Sequence, residues 1–314
     1  MNKTHTPYYS IIIPVYNSFE SLEELFQRIE RAMNGLGQSF EVIFVDDDSS
    51  DGSWNKLELI QSTSPDKVIA IQLARNFGQH NATICGITQA SGKFIITMDD
   101  DLQNPPEEIA KLVSTMQNSD ADLVYGIYDQ KQHSIARNLG SSALKASSRH
   151  IYKTKGFGSS FRLMKSSLAK NLLNHQLNFI FIDELFNWYT NHIGFALVEH
   201  HKRPYQKSTY TSHSLISMFS NLVIYYTAIP LQIMVYGGFI FSFLSLLTGF
   251  WFIYRKLVHH VPLGFTALIV AVLFSTSIIL LSLGIIGEYL SRIYMVQNRK
   301  PPFSINTLLR DEIL

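Results

Sequence analysis

Phe94-Ile-Ile-Thr-Met-Asp99-Asp-Asp-Leu-Gln103-Asn-Pro-Pro-Glu107 is the stretch on which the fold turns. A short β-rich run, Phe94 to Met98, ends in three consecutive aspartates, and a Pro-Pro pair then opens a helix-like segment, Pro106 to Gln117. In extended backbone alternate side chains share a face, so Asp99 and Asp101 converge while Asp100 turns aside. Two converging carboxylates suit an oxygen-liganded Mg2+ or Mn2+ whose shell is completed by water and a diphosphate. A structural turn accounts for Pro105 and Pro106 but not for three aspartates after a buried strand.

The same design occurs earlier in the chain. Glu41 to Val45 runs into Asp46-Asp-Asp-Ser-Ser-Asp51-Gly52. Carboxylates this close repel and need compensation by hydrogen bonds, solvent or a bound partner, which the N–H and O–H donors of a base and ribose would supply. Asp51, followed by Gly52 and Ser53, also reads as the start of a helix. Around these loops, Tyr9 to Val15, Val68 to Leu73 and Asp122 to Tyr125 read as further short strands, with helix-like stretches at Ser21 to Met33 and Ser53 to Gln61. The alternation predicts an α/β domain with a mostly parallel sheet covered on both faces and ligands at the carboxyl ends of the strands.

Composition sets the limits. In 314 residues, 46% are hydrophobic and the formal net charge is +1, so a sizeable core is available and no global field favours nucleic acid. Cys85 is the single cysteine, which excludes an internal disulfide framework and reads as a small buried hydrophobe. Residues 1 to 10 are polar, without the apolar stretch of a signal peptide, which predicts a cytoplasmic N-terminal domain, residues 1–212.

The last third changes solvent. Apolar runs at 229–254 and 265–287 each exceed the ~20 residues needed to cross a bilayer and predict a two-helix transmembrane hairpin. Basic residues flank both ends, so charge does not orient it, and residues 288–314 are expected as a cytoplasmic tail. Between them, residues 213–228 place Leu215, Met218, Phe219, Leu222, Val223 and Tyr226 on one helical face. Either a helix lying along the headgroups or one packed on the soluble domain fits that pattern.

Four motifs in order, Ile11-Ile-Ile-Pro-Val-Tyr-Asn17, Val45-Asp-Asp-Asp-Ser-Ser-Asp51, Arg75-Asn-Phe-Gly78 and Asp99-Asp-Asp-Leu-Gln-Asn-Pro-Pro-Glu107, resemble family 2 glycosyltransferases of the Rossmann-like GT-A fold. With the apolar pair, the whole chain is similar to bacterial polyisoprenyl-phosphate glycosyltransferases related to dolichyl-phosphate mannose synthase. The resemblance implies inverting transfer of a sugar from a nucleotide-sugar donor to a polyprenyl phosphate, such as undecaprenyl phosphate, at the cytoplasmic face of the bacterial inner membrane. It also implies a homo-oligomer.

By that resemblance Pro14, Tyr16, Asp46, Asp47 and Asp100 line the nucleotide-sugar pocket. Asp99, Asp101 and Gln103 hold the metal and donor diphosphate and, with Arg137, form the catalytic set. Arg137, Ser141, Arg203, Lys207 and Ser208 receive the acceptor phosphate. Three positions depart from the family pattern: Asp48 where Gly is usual, Tyr128 where Arg is frequent, and Ser160 where many relatives carry Asp. The acceptor oxygen is ionised near neutral pH, so Asp183 and Glu184 are expected to cap a helix or touch sugar rather than act as a base. A polysaccharide-extending enzyme and a catalytically inactive membrane scaffold are the rival readings. The first lacks a Gln-x-x-Arg-Trp motif here, and the second would have lost the Asp99, Asp101, Gln103 set.

Overall fold

The computed structural model describes residues 6–128, 159–174, 182–201, scattered positions between 234 and 258, and residues 264–297 and 301–311. Two compact units emerge, Met1–Lys207 with Pro301–Leu314, and Ser208–Lys300.

The first unit is built on one eight-stranded sheet, in the order β7-β5-β6-β4-β1-β2-β3-β8. Its strands are β1 (Tyr9–Val15), β2 (Phe40–Asp46), β3 (Val68–Leu73), β4 (Phe94–Thr97), β5 (Leu123–Ile127), β6 (Arg162–Lys165), β7 (Ile193–Leu197) and β8 (Ile305–Leu309). β1 pairs in parallel with β2 and β4, β2 with β3, and β5 with β7. β6 runs antiparallel to both β4 and β5, and β8 antiparallel to β3, so the mostly parallel sheet is mixed, with β6 and β8 running against the other strands.

All seven residues of β1 and of β2 are buried, as expected of central strands covered on both faces. The side chains alternate between two cores. Ile11, Ile13 and Val15 face α1 (Leu22–Leu36), α2 (Ser53–Thr63) and α4 (Ile109–Gln117). Ile12, Ile43 and Val45 face α3 (Gln79–Gln89), α5 (Ser166–Asn171) and α6 (Ile182–Tyr189). In α1 the buried Leu22, Leu25, Phe26, Ile29 and Met33 recur at helical spacing. Each contributes about 1.5–3 kcal/mol by leaving water. Gly37 in the left-handed region, φ 65°, then stops the helix.

α3 has no such stripe, because Asn81 through Ile87 are buried consecutively. It lies so close to β1 that a Cβ on Gly86 would collide with the Ile12 side chain. Cys85 is buried there, and burial pushes its thiol up to about 12, as befits a packing residue.

The second unit contains α7 (Phe265–Gln297), a 33-residue helix that outruns the expected 265–287 span. Within it Phe274–Ser291 has mean hydropathy 1.5 with none of that window buried. Among the described residues this is the one helix long and apolar enough to cross a membrane. Residues 213–228 lie outside the described set, as does half of 229–254, so the two-helix hairpin is not established. The expected tail holds the end of α7 and, at Ile305–Leu309, the edge strand β8.

Candidate active site at the carboxyl ends of β1, β2 and β4

β1, β2 and β4 are parallel neighbours, so their carboxyl ends open on one rim of the sheet. Pro14 and Tyr16 come from the end of β1, Asp46 and Asp47 from β2, and Asp99 to Gln103 follow β4. The main chain ties them together, with the Asp47 amide donating to Val15 O at 2.9 Å and the Met98 amide to Ile12 O at 3.2 Å. Tyr16 is half exposed at 49%, leaving its ring available to stack on a ligand.

Asp46 is fully buried. Ser49 bonds it through both its side chain and its amide, the amide reaching Oδ2 at a long 3.4 Å, while Oδ1 is buried with no partner. Burial above all pushes its pKa up. A buried carboxylate oxygen held without a donor is the arrangement expected where a ligand N–H or O–H completes the site. Asp47 is satisfied by contrast. The amides of Phe77 and Gly78 donate to its two oxygens at 2.7 and 2.8 Å, opposing the upward push of burial. Gly78 is needed for this, because its φ of 88° and ψ of 152° are accessible essentially to glycine alone.

Asp48 adopts φ 63°, a left-handed conformation that glycine takes freely and that aspartate tolerates better than most side chains. Asp51 serves the helix start. It accepts from the Phe19 and Ser53 amides, both at 3.0 Å, and from Ser53 Oγ at 2.6 Å.

At the end of β4 the three aspartates separate in role. Asp99 accepts from Gln79 Nε2 and Ser160 Oγ, each at 2.5 Å, and burial is the chief cause of its raised pKa. Asp100 turns to the end of β1, accepting the Tyr16 amide at 3.1 Å, and burial pushes it up to about 7. Asp101 accepts the Gln103 amide at 3.0 Å across Leu102, whose φ of 59° makes the tight turn. Gln103 Nε2 lies 3.4 Å from both His200 Nε2 and His201 O. Tyr128 stacks on His200 with centroids 4.3 Å apart.

Beneath Asp99 lies a cavity of about 130 Å³ lined among others by Gln79, His80, Ser160, Arg162 and Asp183. Arg162, 3% exposed, pairs through Nη1 with Asp183 Oδ1 and donates from Nε to Thr97 Oγ1 at 2.9 Å. Tyr125 OH donates to the same Asp183 oxygen at 2.9 Å. Burial, reinforced by Arg162, holds the His80 imidazole down at about 4, neutral at physiological pH. The motif reading missed Gln79, His80, Arg162 and Tyr125. Arg162 alone gave a signal, a cation inside an apolar run that requires a buried anion. Asp183 is neither a cap nor a free base but the partner of that cation. The acceptor set Arg137, Ser141, Arg203, Lys207 and Ser208 lies outside the described residues, as does the side chain of Glu184.

The chemistry of Asp99, Asp101 and Gln103 is compatible with a hard divalent cation. Two carboxylates and an amide offer oxygen ligands, and a carboxylate oxygen that accepts one hydrogen bond keeps further lone-pair capacity. Among the described residues no cluster of three or more His, Cys, Asp or Glu forms a metal cage by itself, so a ligand's phosphates and water would complete the shell.

Residues 10–187 match the model for glycosyl transferase family 2. Undecaprenyl-phosphate 4-deoxy-4-formamido-L-arabinose transferase of Pseudomonas fluorescens (strain SBW25) is 34% identical over 96% of this chain and 90% of its own length. The protein of the same description from Pseudomonas savastanoi pv. phaseolicola is 32% identical over the same shares. Among solved structures, glucosyl-3-phosphoglycerate synthase of Mycobacterium tuberculosis in complex with UDP is 15% identical over 69% of this chain and 78% of that one, with a TM-score of 0.48. The mannosyltransferase PcManGT from Pyrobaculum calidifontis, in complex with GDP-Man and Mn2+, is 20% identical over 54% and 47%, with a TM-score of 0.40. The structural likenesses are too slight to carry an argument, but the family match and the extended identity are decisive: the chain belongs to glycosyl transferase family 2 and is an enzyme of the glycosyltransferase class.

Proposed function

We propose that this enzyme transfers a sugar from a nucleotide-sugar donor to a polyprenyl phosphate at the cytoplasmic face of the membrane, with inversion at the anomeric carbon. The observation that carries it is the 34% identity over 96% of the chain to a transferase named for undecaprenyl phosphate, together with the acidic rim at β1, β2 and β4. The 4-deoxy-4-formamido-L-arabinosyl group in that relative's name is the first donor sugar to test. Helix α7 supports a membrane seat, with the expected hairpin partner at 229–254.

In this reading Asp46 and Asp47 receive the nucleoside with Pro14 and Tyr16, and Asp100 holds the end of β1 against them through the Tyr16 amide. Asp99, Asp101 and Gln103 would hold Mg2+ or Mn2+, which when bound neutralises the leaving diphosphate. Gln79 and Ser160 fix the Asp99 carboxylate from both sides, so it does not reorient during turnover. The acceptor phosphate oxygen forms the new bond to the anomeric carbon as the bond to the diphosphate oxygen breaks. That oxygen arrives ionised, so no proton is moved, which agrees with Asp183 being committed to Arg162. Arg137, Ser141, Arg203, Lys207 and Ser208 are assigned to the lipid phosphate.

The test is transfer of label from a panel of nucleotide sugars to undecaprenyl phosphate in detergent, with Mn2+, Mg2+ or chelator, comparing wild type and Asp101→Ala. A metal-dependent labelled lipid from one donor, lost in the variant, is expected. Folded protein that binds nucleotide yet makes no lipid product from any donor would refute the acceptor assignment.

A further inference from the structure

The edge strand β8 follows the apolar helix in sequence, yet its contacts lead to the nucleotide pocket. It pairs antiparallel with β3, matching Ala70 with Leu309 and Leu73 with Ile305, and the register shifts between Gln72 and Leu73. That bulge changes which face of β8 turns inward. Leu309 packs on the core shared by α1 and α2, whereas Ile305 and Phe303 pack on the opposite core with Phe77. At the shift, Asn306 Nδ2 donates to Gln72 Oε1 at 3.0 Å. One residue beyond β3, the Ala74 amide donates to Ser304 O at 2.8 Å. The chain then runs from Ala74 directly to Phe77 and Gly78, the two amides that grip Asp47.

We propose that β8 is a positioning element of the nucleotide site: by completing the sheet edge and holding Ala74, it fixes the loop whose Phe77 and Gly78 amides orient the Asp47 carboxylate. This rests on the reading that Asp47 belongs to the nucleotide pocket. Covering the β3 edge also protects it from pairing with another chain, but edge protection needs no bulge and no bond to Ala74. Both are placed where the strand leaves the sheet for the site. Donor binding thereby depends on a segment reached only after the chain has passed through α7, with Asn298 to Ser304 as the connection.

The experiment uses the full chain in detergent, a truncation ending at Pro302, and a control ending at Asp311. Affinity for uridine or guanosine diphosphate with Mn2+ is measured beside amide exchange. Loss of β8 is expected to weaken nucleotide binding about tenfold and to speed exchange at Phe77 and Gly78 by a similar factor, with β1 and β2 still protected and the control unchanged. In an Asp47→Ala background the truncation should cost no further affinity, since both changes remove one interaction. If the truncation unfolds, Asn306→Ala carries the same two readouts at about threefold amplitude. Unchanged affinity and exchange in a folded variant, or losses that multiply with Asp47→Ala, overturn the proposal. A wild-type chain that binds neither nucleotide sinks the nucleotide-site reading instead, and exchange at Phe77 and Gly78 still decides whether β8 braces the loop.

Discussion

Asp46→Asn should move stability and ligand binding in opposite directions. The wild-type carboxylate is fully buried, is hydrogen-bonded to the side chain and amide of Ser49, and leaves Oδ1 without a donor. Because burial raises its pKa in the fold, its protonated form is favoured. The linked stability is therefore present below the unfolded carboxylate pKa and lost as pH rises through the higher folded value. At neutral pH, well above the unfolded carboxylate value, that stability is reduced. Asparagine removes the charge at constant volume and can still accept from Ser49, but it introduces a buried N–H, so about 1 kcal/mol should be recovered. For a unit of this size that is about 2–4 °C in melting temperature, measured without nucleotide at pH 7. The gain should fade as pH falls below the ordinary aspartate value of about 3.9, where the aspartate becomes protonated in both states. Nucleotide affinity should fall, since a bond to an ionised acceptor is worth about 1.5–3 kcal/mol, or about tenfold to a hundredfold in Kd. An Asn variant that melts lower at pH 7, or binds nucleotide as tightly as wild type, would refute the claim that Asp46 is held unsatisfied for a ligand.

Three further outcomes follow from neighbouring groups. Gly78→Ala places a Cβ at φ 88°, ψ 152°, where strain of about 1–3 kcal/mol should turn the amide away from Asp47 and weaken nucleotide binding at least fivefold, read by calorimetry. Arg162→Met strips the counter-ion from Asp183 and should cost about 3–5 kcal/mol in denaturant unfolding, whereas adding Asp183→Leu should recover most of it. Asp100→Asn keeps an acceptor for the Tyr16 amide. In the presence of chelator it should flatten the loss of thermal stability that wild type shows as pH rises through about 7.

Local patterns made much of the scaffold legible. β1 and β3 coincide with their expected bounds, because buried parallel strands are continuous apolar runs that no other element of that length produces. The acidic loops after β2 and β4 were recognisable for the same reason, a strand ending where charge begins. α3 escaped because seven consecutive buried residues erase helical periodicity, and β6 because four residues that include Arg162 resemble no strand. Metal and acceptor assignments came from motif resemblance, which names residue types without fixing their contacts.

By itself the sequence determined the family, the α/β alternation, the strand-end placement of Asp46, Asp47, Asp99 and Asp101, and an apolar C-terminal third, all of which are properties of neighbours along the chain. Only the tertiary structure decided that Asp183 belongs to Arg162, that Asp99 lies between Gln79 and Ser160, and that Ile305–Leu309 closes the sheet beside β3. These are pairings between residues far apart in sequence. Each is selected by the cost of leaving a buried charge, a polar atom or a strand edge without a partner, and that cost exists only once the chain has closed around it.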